Sequence, residues 1–346
     1  MMRICSSLAN NGFEVTIVGV AHNKSTALTE KKYKQKRLPC YFKKGYFFYA
    51  EYNIRLFFFL LFAKADALCC IDLDTLLPVY IIGKARRKII VYDAHEYFSQ
   101  LKEVITRPSV YRIWHWIERH FVPKIKNGYT VSQSIANVFH ELYHVDYSVI
   151  MNVPLLKEQH TPVLKNKNVL LYQGAVNHAR GLEYLIPAMN KIDAVLHIYG
   201  QGNMMEEIKK LIQQHHLEDR VLLLGNVTPH ELTKVTPQAL MGINLVEPIG
   251  LNQYYSLANK FFDYMHASIP QISMNFPEYK RINDEIEVAV LIDTLEIDTI
   301  ANAINSLLQN KEKYHQLESN CAKAAQQYNW QNEEKKLIAF YKNILR

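Results

Sequence analysis

The stretch VLLYQGAVNHARGLEYLIPA, Val169 to Ala188, decides how this chain folds. Its first residues are apolar at successive positions, so a strand here is covered on both faces. Gly174 ends the strand, a polar loop carries Arg180, and Gly181 opens an amphipathic helix. A strand covered on both faces and followed at once by a helix is the unit of a parallel sheet flanked by helices.

The same alternation recurs in both directions. Toward the C-terminus come the strands AVLHIYG, VLLLGNV, MGINLVEP and PQISM, separated by helical patterns such as MMEEIKKLIQQHH, and helices close the chain from about Ile297. Toward the N-terminus, EVTIVGV, ALCCID, KIIVYDAHE, GYTVS and YSVIMNVP read as strands. Between them NIRLFFFLLFAKA, DTLLPVYIIGKAR, PSVYRIWHWIERHFVPK and SQSIANVFHELYH read as helices. Residues 154–168 hold two prolines, several charges and no period, so they read as a linker. The expected fold class is therefore α/β: two Rossmann-like, doubly wound parallel-sheet domains, 1–153 and 169–346, facing a cleft. Ligands of such sheets bind at the carboxyl ends of strands. One part is missing from the pattern. The chain opens on the helix-like MRICSSLANNG, with neither a strand nor a glycine turn ahead of EVTIVGV. The first sheet is expected to show a gap beside that strand, with acceptor binding the function most exposed to it.

Composition sets bounds. The chain has 346 residues, 49% hydrophobic and 21% charged, as an ordinary globular enzyme does. Five cysteines, two of them adjacent, make no disulfide framework and point to a reducing compartment. The N-terminus lacks the apolar core of a signal peptide. The most apolar run, LFFFLLFA (Leu56–Ala63), is far shorter than the ~20 residues a spanning helix needs, so it reads as a buried or interfacial helix. These features together give a cytoplasmic expectation. Residues 1–155 carry 21 Lys and Arg against 12 Asp and Glu, while the remainder is slightly acidic. The basic half, with the run KKYKQKR (Lys31–Arg37), suits an anionic membrane surface, with a solvated loop as the plain reading of the run. No nucleic-acid module accompanies it, and nucleic acid is not an expected partner.

Three polar clusters fall where such sheets bind ligands. In YYSLANKFFDYMH (Tyr254–His266), a helix read from Ser256 aligns Ser256, Asn259, Lys260 and Asp263 on one stripe, with Phe261, Phe262 and Met265 opposite. A helix N-terminus with a lysine suits a diphosphate, and a carboxylate one turn deeper suits a ribose diol. An N-capped helix with a Lys–Asp pair has the same spacing. The loop after Gly174 brings Arg180 and free backbone amides to another strand end. In VYDAHEYFS, a strand ends in Asp93, His95 and Glu96.

These residues carry a resemblance. YDAHE, VSQSIANVF, QGAVNHARGLEYLIPA, LHIYGQGNMMEEI, VLLLGNV and SLANKFFDYM resemble retaining nucleotide-sugar glycosyltransferases of the GT-B fold, the group 1 or family 4-like kind. The resemblance covers nearly the whole chain. It implies a hexosyl transfer from a nucleoside-diphosphate sugar, as co-substrate, to a glycan or lipid-linked acceptor in polysaccharide biosynthesis, with no metal or other cofactor. It assigns the diphosphate to Arg180 and Lys260 and the ribose to Asp263, the second acid of the family's E-x7-E motif. Gly174, Ser256 and Asn259 join the donor site, and the backbone of Val227 meets the base. His95 becomes the catalytic residue near donor phosphate and acceptor, with Glu96 beside it. Two positions depart from the family: Tyr255 stands where the first acid belongs, with Glu247 as the candidate substitute, and Ala175 stands where a basic residue often follows the loop glycine.

Other readings compete. A sugar-nucleotide epimerase shares the fold, and a non-catalytic relative would explain Tyr255. HELYH (His140–His144) fits the helical H-E-x-x-H of zinc hydrolases, yet the extended motif's further positions hold Tyr147 and Ile150, so no third ligand follows and no metal is expected. Gly200 and Gly202 make only half of a dinucleotide fingerprint. Of Trp114 and Trp116, on different sides of one helix, one is expected in the core and the other at an interface.

Overall fold

A computed structural model describes residues 1–21, 27–157 and 168–346. Of the expected linker 154–168, residues 158–167 lie outside the described ones. The chain divides into two compact units, 1–151 with 332–346, and 152–331.

The first unit opens with α1 (Met2–Asn10), then β1 (Thr16–Ala21), β2 (Lys34–Pro39), α2 (Gly45–Phe62), β3 (Ala67–Ile71), α3 (Leu76–Ala85) and β4 (Ile89–Ala94). It continues through α4 (Lys102–Ile105), α5 (Pro108–Phe121), β5 (Asn127–Thr130), α6 (Gln133–Tyr143) and the short β6 (Ser148–Val149). All its strand pairs are parallel, in two sheets: β1-β2, and β3-β4-β5-β6. Among the described residues, β1 pairs on one edge only, β3 pairs only with β4, and Cys69 in the middle of β3 is exposed. Residues 2–10 are helical, as their sequence indicates.

Only the first residues of the basic run, 31–33, lie outside a strand. Lys34–Pro39 forms β2 against β1, and Tyr33 just before it is buried. Alternating lysines kept that strand hidden in the sequence, and they are also what keeps an edge strand from pairing with another chain. α6 starts where Ser132 caps it, its hydroxyl accepting the Ile135 N–H. It stops at His144, whose left-handed φ of 54° takes it off the helix.

Glu118 on α5 is fully buried in this unit. Its Oε1 accepts from Ser99 and Tyr143, and its Oε2 finds no partner. Burial raises its pKa from 4.5 to about 7. The folded state thus holds this proton longer than the unfolded chain, so Glu118 costs stability as pH rises from 4.5 to about 7. Glu118→Gln is expected to remove that part of the pH dependence, a component on the order of 1–3 kcal/mol. Melting curves at both ends of the window check it; an unchanged slope would contradict the assignment.

The second unit runs through β7 (Val169–Gln173), α7 (Leu182–Ala188), β8 (Val195–Tyr199), α8 (Met205–Gln214), β9 (Val221–Gly225), α9 (Pro229–Val235) and β10 (Met241–Asn244). Then come α10 (Leu251–Tyr254), α11 (Asn259–His266), β11 (Gln271–Met274), α12 (Pro277–Glu285), β12 (Ala289–Ile292), α13 (Ile297–Gln309) and α14 (Lys311–Gln327). Its six strands are parallel in the order β12-β11-β10-β7-β8-β9. The order reverses between β7 and β10, the switch point at which such sheets bind ligands. A cluster of Val169, Leu171, Ala239, Tyr264 and Ile269 packs α11 onto the sheet there. Gly242 makes the close approach possible, since a Cβ on it would stand 2.4 Å from the Tyr264 ring.

The last helix, α15 (Trp330–Ile344), differs from the expectation that 169–346 stays together. Its residues from Asn332 onward pack with the first unit. Phe340 and Tyr341 lie edge-on to Tyr129, Tyr341 also meets Phe13, and Glu333 accepts the Met151 N–H. Among the described residues no helix is long and apolar enough to cross a membrane.

Candidate active site

In the second unit, four loops at the carboxyl ends of β7, β8, β9 and β10 are laced together by their backbones. Gly174 N–H donates to Tyr199, Val176 to Gln201, Gly200 to Gly225 and Glu247 to Ala179. Gly200 and Gly202 serve this lacing rather than a dinucleotide. A Cβ on Gly200 would fall 1.8 Å from the Gly174 carbonyl oxygen, and one on Gly202 2.1 Å from that of Val176. Gly174, at φ 133°, turns the chain out of β7, and Gly181, at φ 72°, turns it into α7.

α11 completes the site. It begins at Asn259 rather than near Ser256, a correction to the expected helix. Ser256 lies in the turn after α10 and its hydroxyl donates to the Gln253 carbonyl, so it is off the Lys260 stripe. Asn259 is exposed and its side-chain oxygen accepts from Asn152. Ala258, at the N-cap, offers no side-chain cap, and its own N–H donates to the Tyr279 hydroxyl. The first turn therefore opens with free amides and partial positive charge.

Lys260, in that first turn, is 8% exposed. Its Nζ has no hydrogen-bond partner and stands 3.9 Å from the centroid of the Tyr172 ring. Burial, reinforced by the charge of Arg180, holds its pKa well below that of an ordinary lysine. Arg180, half-buried, thus acts on the same point from the neighbouring loop, and among the described residues no carboxylate forms a salt bridge with it. Two cations thus converge on one point, one of them desolvated and without a hydrogen-bond partner.

Asp263 lies one turn below Lys260, and its Oδ2 accepts from Gln173 at 2.9 Å. Gln173 in turn accepts from Thr236 at 2.7 Å. Gln173, which links Asp263 to Thr236, was not singled out in the sequence; a glutamine at the end of an otherwise apolar strand is its signal. Glu247 follows β10, its backbone tied to Ala179, so it shares the switch point with Arg180. Tyr255 sits between α10 and α11, its ring tilted on Tyr254. Val227 lies half-buried in the loop after β9.

A second cluster lies at the carboxyl end of β4 in the first unit. His95 Nε2 is 3.3 Å from Asp93 Oδ1, and Asp93 Oδ2 accepts from Tyr129 at 2.9 Å. Burial works against the imidazolium, but the carboxylates of Asp93 and Asp72 hold the His95 pKa above its usual value. Glu96 is exposed, and its N–H donates to Asp72. Asp72 and Asp74 belong to this cluster and were not singled out in the sequence. Burial raises Asp72 to about 8 and Asp74 to about 6.

HELYH does not assemble. His140 on α6 pairs with Asp146 at 2.7 Å, and His144 is off the helix, so the i, i+4 stripe is broken. Among the described residues no group of three His, Cys, Asp or Glu could hold a metal ion.

Residues 156–324 match the family model described as Glycosyl transferases group 1. The uncharacterized glycosyltransferase MJ1607 of Methanocaldococcus jannaschii is 25% identical over 187 residues, 52% of this chain and 46% of that protein. The match thus spans about half of that relative's length. Among solved structures, sucrose-phosphate synthase from Thermosynechococcus elongatus has a TM-score of 0.80 at 15% identity, covering 99% of this chain and 92% of its own. WaaG, a glycosyltransferase involved in lipopolysaccharide biosynthesis, has 0.75 at 15%, covering 97% and 93%. Anabaena HepE in complex with UDP and glucose has 0.73 at 14%, covering 90% and 86%. The chain has the GT-B fold, and its residues 156–324 are similar to the group 1 glycosyltransferase domain.

Proposed function

We propose that this chain is a cytoplasmic hexosyltransferase. It moves a sugar from a nucleoside-diphosphate sugar to a glycan or lipid-linked acceptor in polysaccharide assembly, with retention of anomeric configuration. The observation that carries the reading is Lys260: a buried ammonium without a partner, at the open N-terminus of α11, with Arg180 converging on it. A leaving diphosphate develops negative charge as the glycosidic bond breaks. Fixed cations and helix amides aimed at it stabilise that charge with no reorganisation at the moment of transfer. Asp263, braced by Gln173, is the ribose acceptor group in this reading, and Val227 the backbone contact for the base. Gly174 lets the chain approach the phosphates closely, and Glu247 takes the sugar-recognition place that Tyr255 leaves. Ser256 and Asn259 border the phosphates. His95, oriented by Asp93, is the catalytic imidazole, and Glu96 lines the acceptor side. The uridine nucleotides bound to HepE make UDP-sugars the first donors to try.

A melting-temperature screen with UDP-, GDP-, ADP- and CMP-sugars tests the proposal. One nucleoside-diphosphate class is expected to stabilise the protein by about 2.7 kcal/mol at ~100 times its dissociation constant, while CMP-sugars, with a single phosphate, do so less. No shift with any of them would overturn the donor assignment.

A further inference from the structure

Helix α2 carries apolar side chains on two opposite sides, yet only one of them is buried. Tyr52, Leu56 and Leu60 face the core, while Phe47, Ile54, Phe58, Leu61 and Phe62 form a stripe on the opposite side. Phe47 is 70% exposed, Phe58 58% and Phe62 79%. A helix apolar on opposite sides is normally covered on both. The preceding segment lengthens the stripe and is held rigidly against it. The Glu51 carboxylate accepts the N–H groups of Tyr41 and Phe42, Phe42 stacks on Phe47, and Arg55 lies over the Tyr41 ring. α5 continues the patch. The Tyr46 hydroxyl bonds Ser109 on α5, one turn from exposed Ile113 and two from exposed Trp116, whereas Trp114 on the other side packs on Tyr49 and Phe98.

Exposed basic residues dominate around this face, with Asp66 the exposed carboxylate two residues beyond Lys64. Lys43, Lys44, Lys64, Lys84, Arg112 and Arg119 are exposed on α2, α3, α5 and their ends. The carboxylates of these three helices are withdrawn: Glu51 is bound to Arg55, and Glu118 is buried. We infer that this face docks on an anionic lipid surface, with α2 lying flat and its aromatic stripe in the headgroup–acyl boundary. An 18-residue helix offers about 27 Å of such contact. Flanking lysines keep their ammonium groups at the phosphates while their stems lie along the apolar surface. A second copy is the poorer occupant, because a twofold contact would set this basic rim against itself. The basic run Lys31–Arg37, held in and before β2, is not the anchor in this inference.

Flotation of the full chain with phosphatidylcholine vesicles, with and without phosphatidylglycerol, tests it. Wild type is expected to float with the anionic vesicles, to release as salt rises, and to show a blue-shifted tryptophan emission as Trp116 leaves water. Phe58→Ser with Phe62→Ser is expected to lower partitioning by at least about tenfold with the melting temperature undiminished, since both side chains already face solvent. The nucleotide-induced melting shift is read on the same variant: retained, it separates the fate of the lipid surface from that of the donor site. The inference is overturned if wild type ignores anionic vesicles, or if the double variant floats as well as wild type. It is equally overturned if wild type is a dimer that the variant converts to monomer.

Discussion

Replacing His95 by alanine is expected to lower kcat roughly 100-fold while leaving the affinity for a nucleoside diphosphate within about twofold. The reason lies in its surroundings. Asp93, buried and anchored by Tyr129, lies 3.3 Å from the ring, and its charge together with that of Asp72 favours the protonated form. A group of this kind acts on charge that appears during transfer, so its loss belongs in kcat rather than in ground-state binding. Asp93→Asn supplies the second measurement. It keeps the shape but removes the carboxylate, so the His95 pKa falls and the corresponding limb of the pH–rate profile moves to lower pH. A His95→Ala protein with unchanged kcat, or an unmoved profile in Asp93→Asn, would remove the imidazole from the reaction.

Lys260 carries the other large effect, with opposite signs in stability and in binding. Its ammonium is desolvated and without a hydrogen-bond partner, and its pKa lies well below 10.5. The unfolded chain holds that proton more tightly than the folded one. Stability therefore rises with pH from the folded pKa up to about 10.5 and is diminished below that window. Lys260→Met, of similar length and apolar, is expected to melt a few degrees higher at neutral pH, with the gain shrinking as pH approaches 10.5. A diphosphate supplies the missing partner. Its binding should pull a proton onto Lys260, an uptake that grows with pH and is visible as a buffer-dependent heat. A buried, unpaired cation that costs stability is the trade expected of a binding site, and the two measurements together test whether Lys260 is one.

Much of this was legible in the chain. Strands apolar on both faces, such as Leu170–Tyr172 and Ile90–Tyr92, can only belong to a sheet covered by helices, and the structure has two such units. Arg180, Glu247 and Lys260, which the structure brings to the switch point, stood out because polar types sat at strand and helix ends in otherwise apolar surroundings. What escaped was tertiary. β2 is short and mostly polar, which reads as a loop until β1 is seen beside it. The start of α11 depends on the turn at Tyr255–Ala258, whose residues carry no strong cap. Phe340 and Tyr341 announce a buried face, but nothing local says that it packs with the first unit. Asp72 holds a φ of 53°, and its company with Asp93 and His95 comes from the pairing of β3 with β4.

The central claim is that a sugar nucleotide's diphosphate rests on Lys260 and the first turn of α11. Calorimetric titration of wild type and Lys260→Ala with UDP and with the UDP-sugar, beside their melting curves, tests it directly. Removing a charge-assisted phosphate contact costs about 1.5–3 kcal/mol, so both ligands should bind the variant roughly 10- to 150-fold more weakly. Unchanged affinity for both in a folded Lys260→Ala protein would contradict the donor site and the transferase reading together.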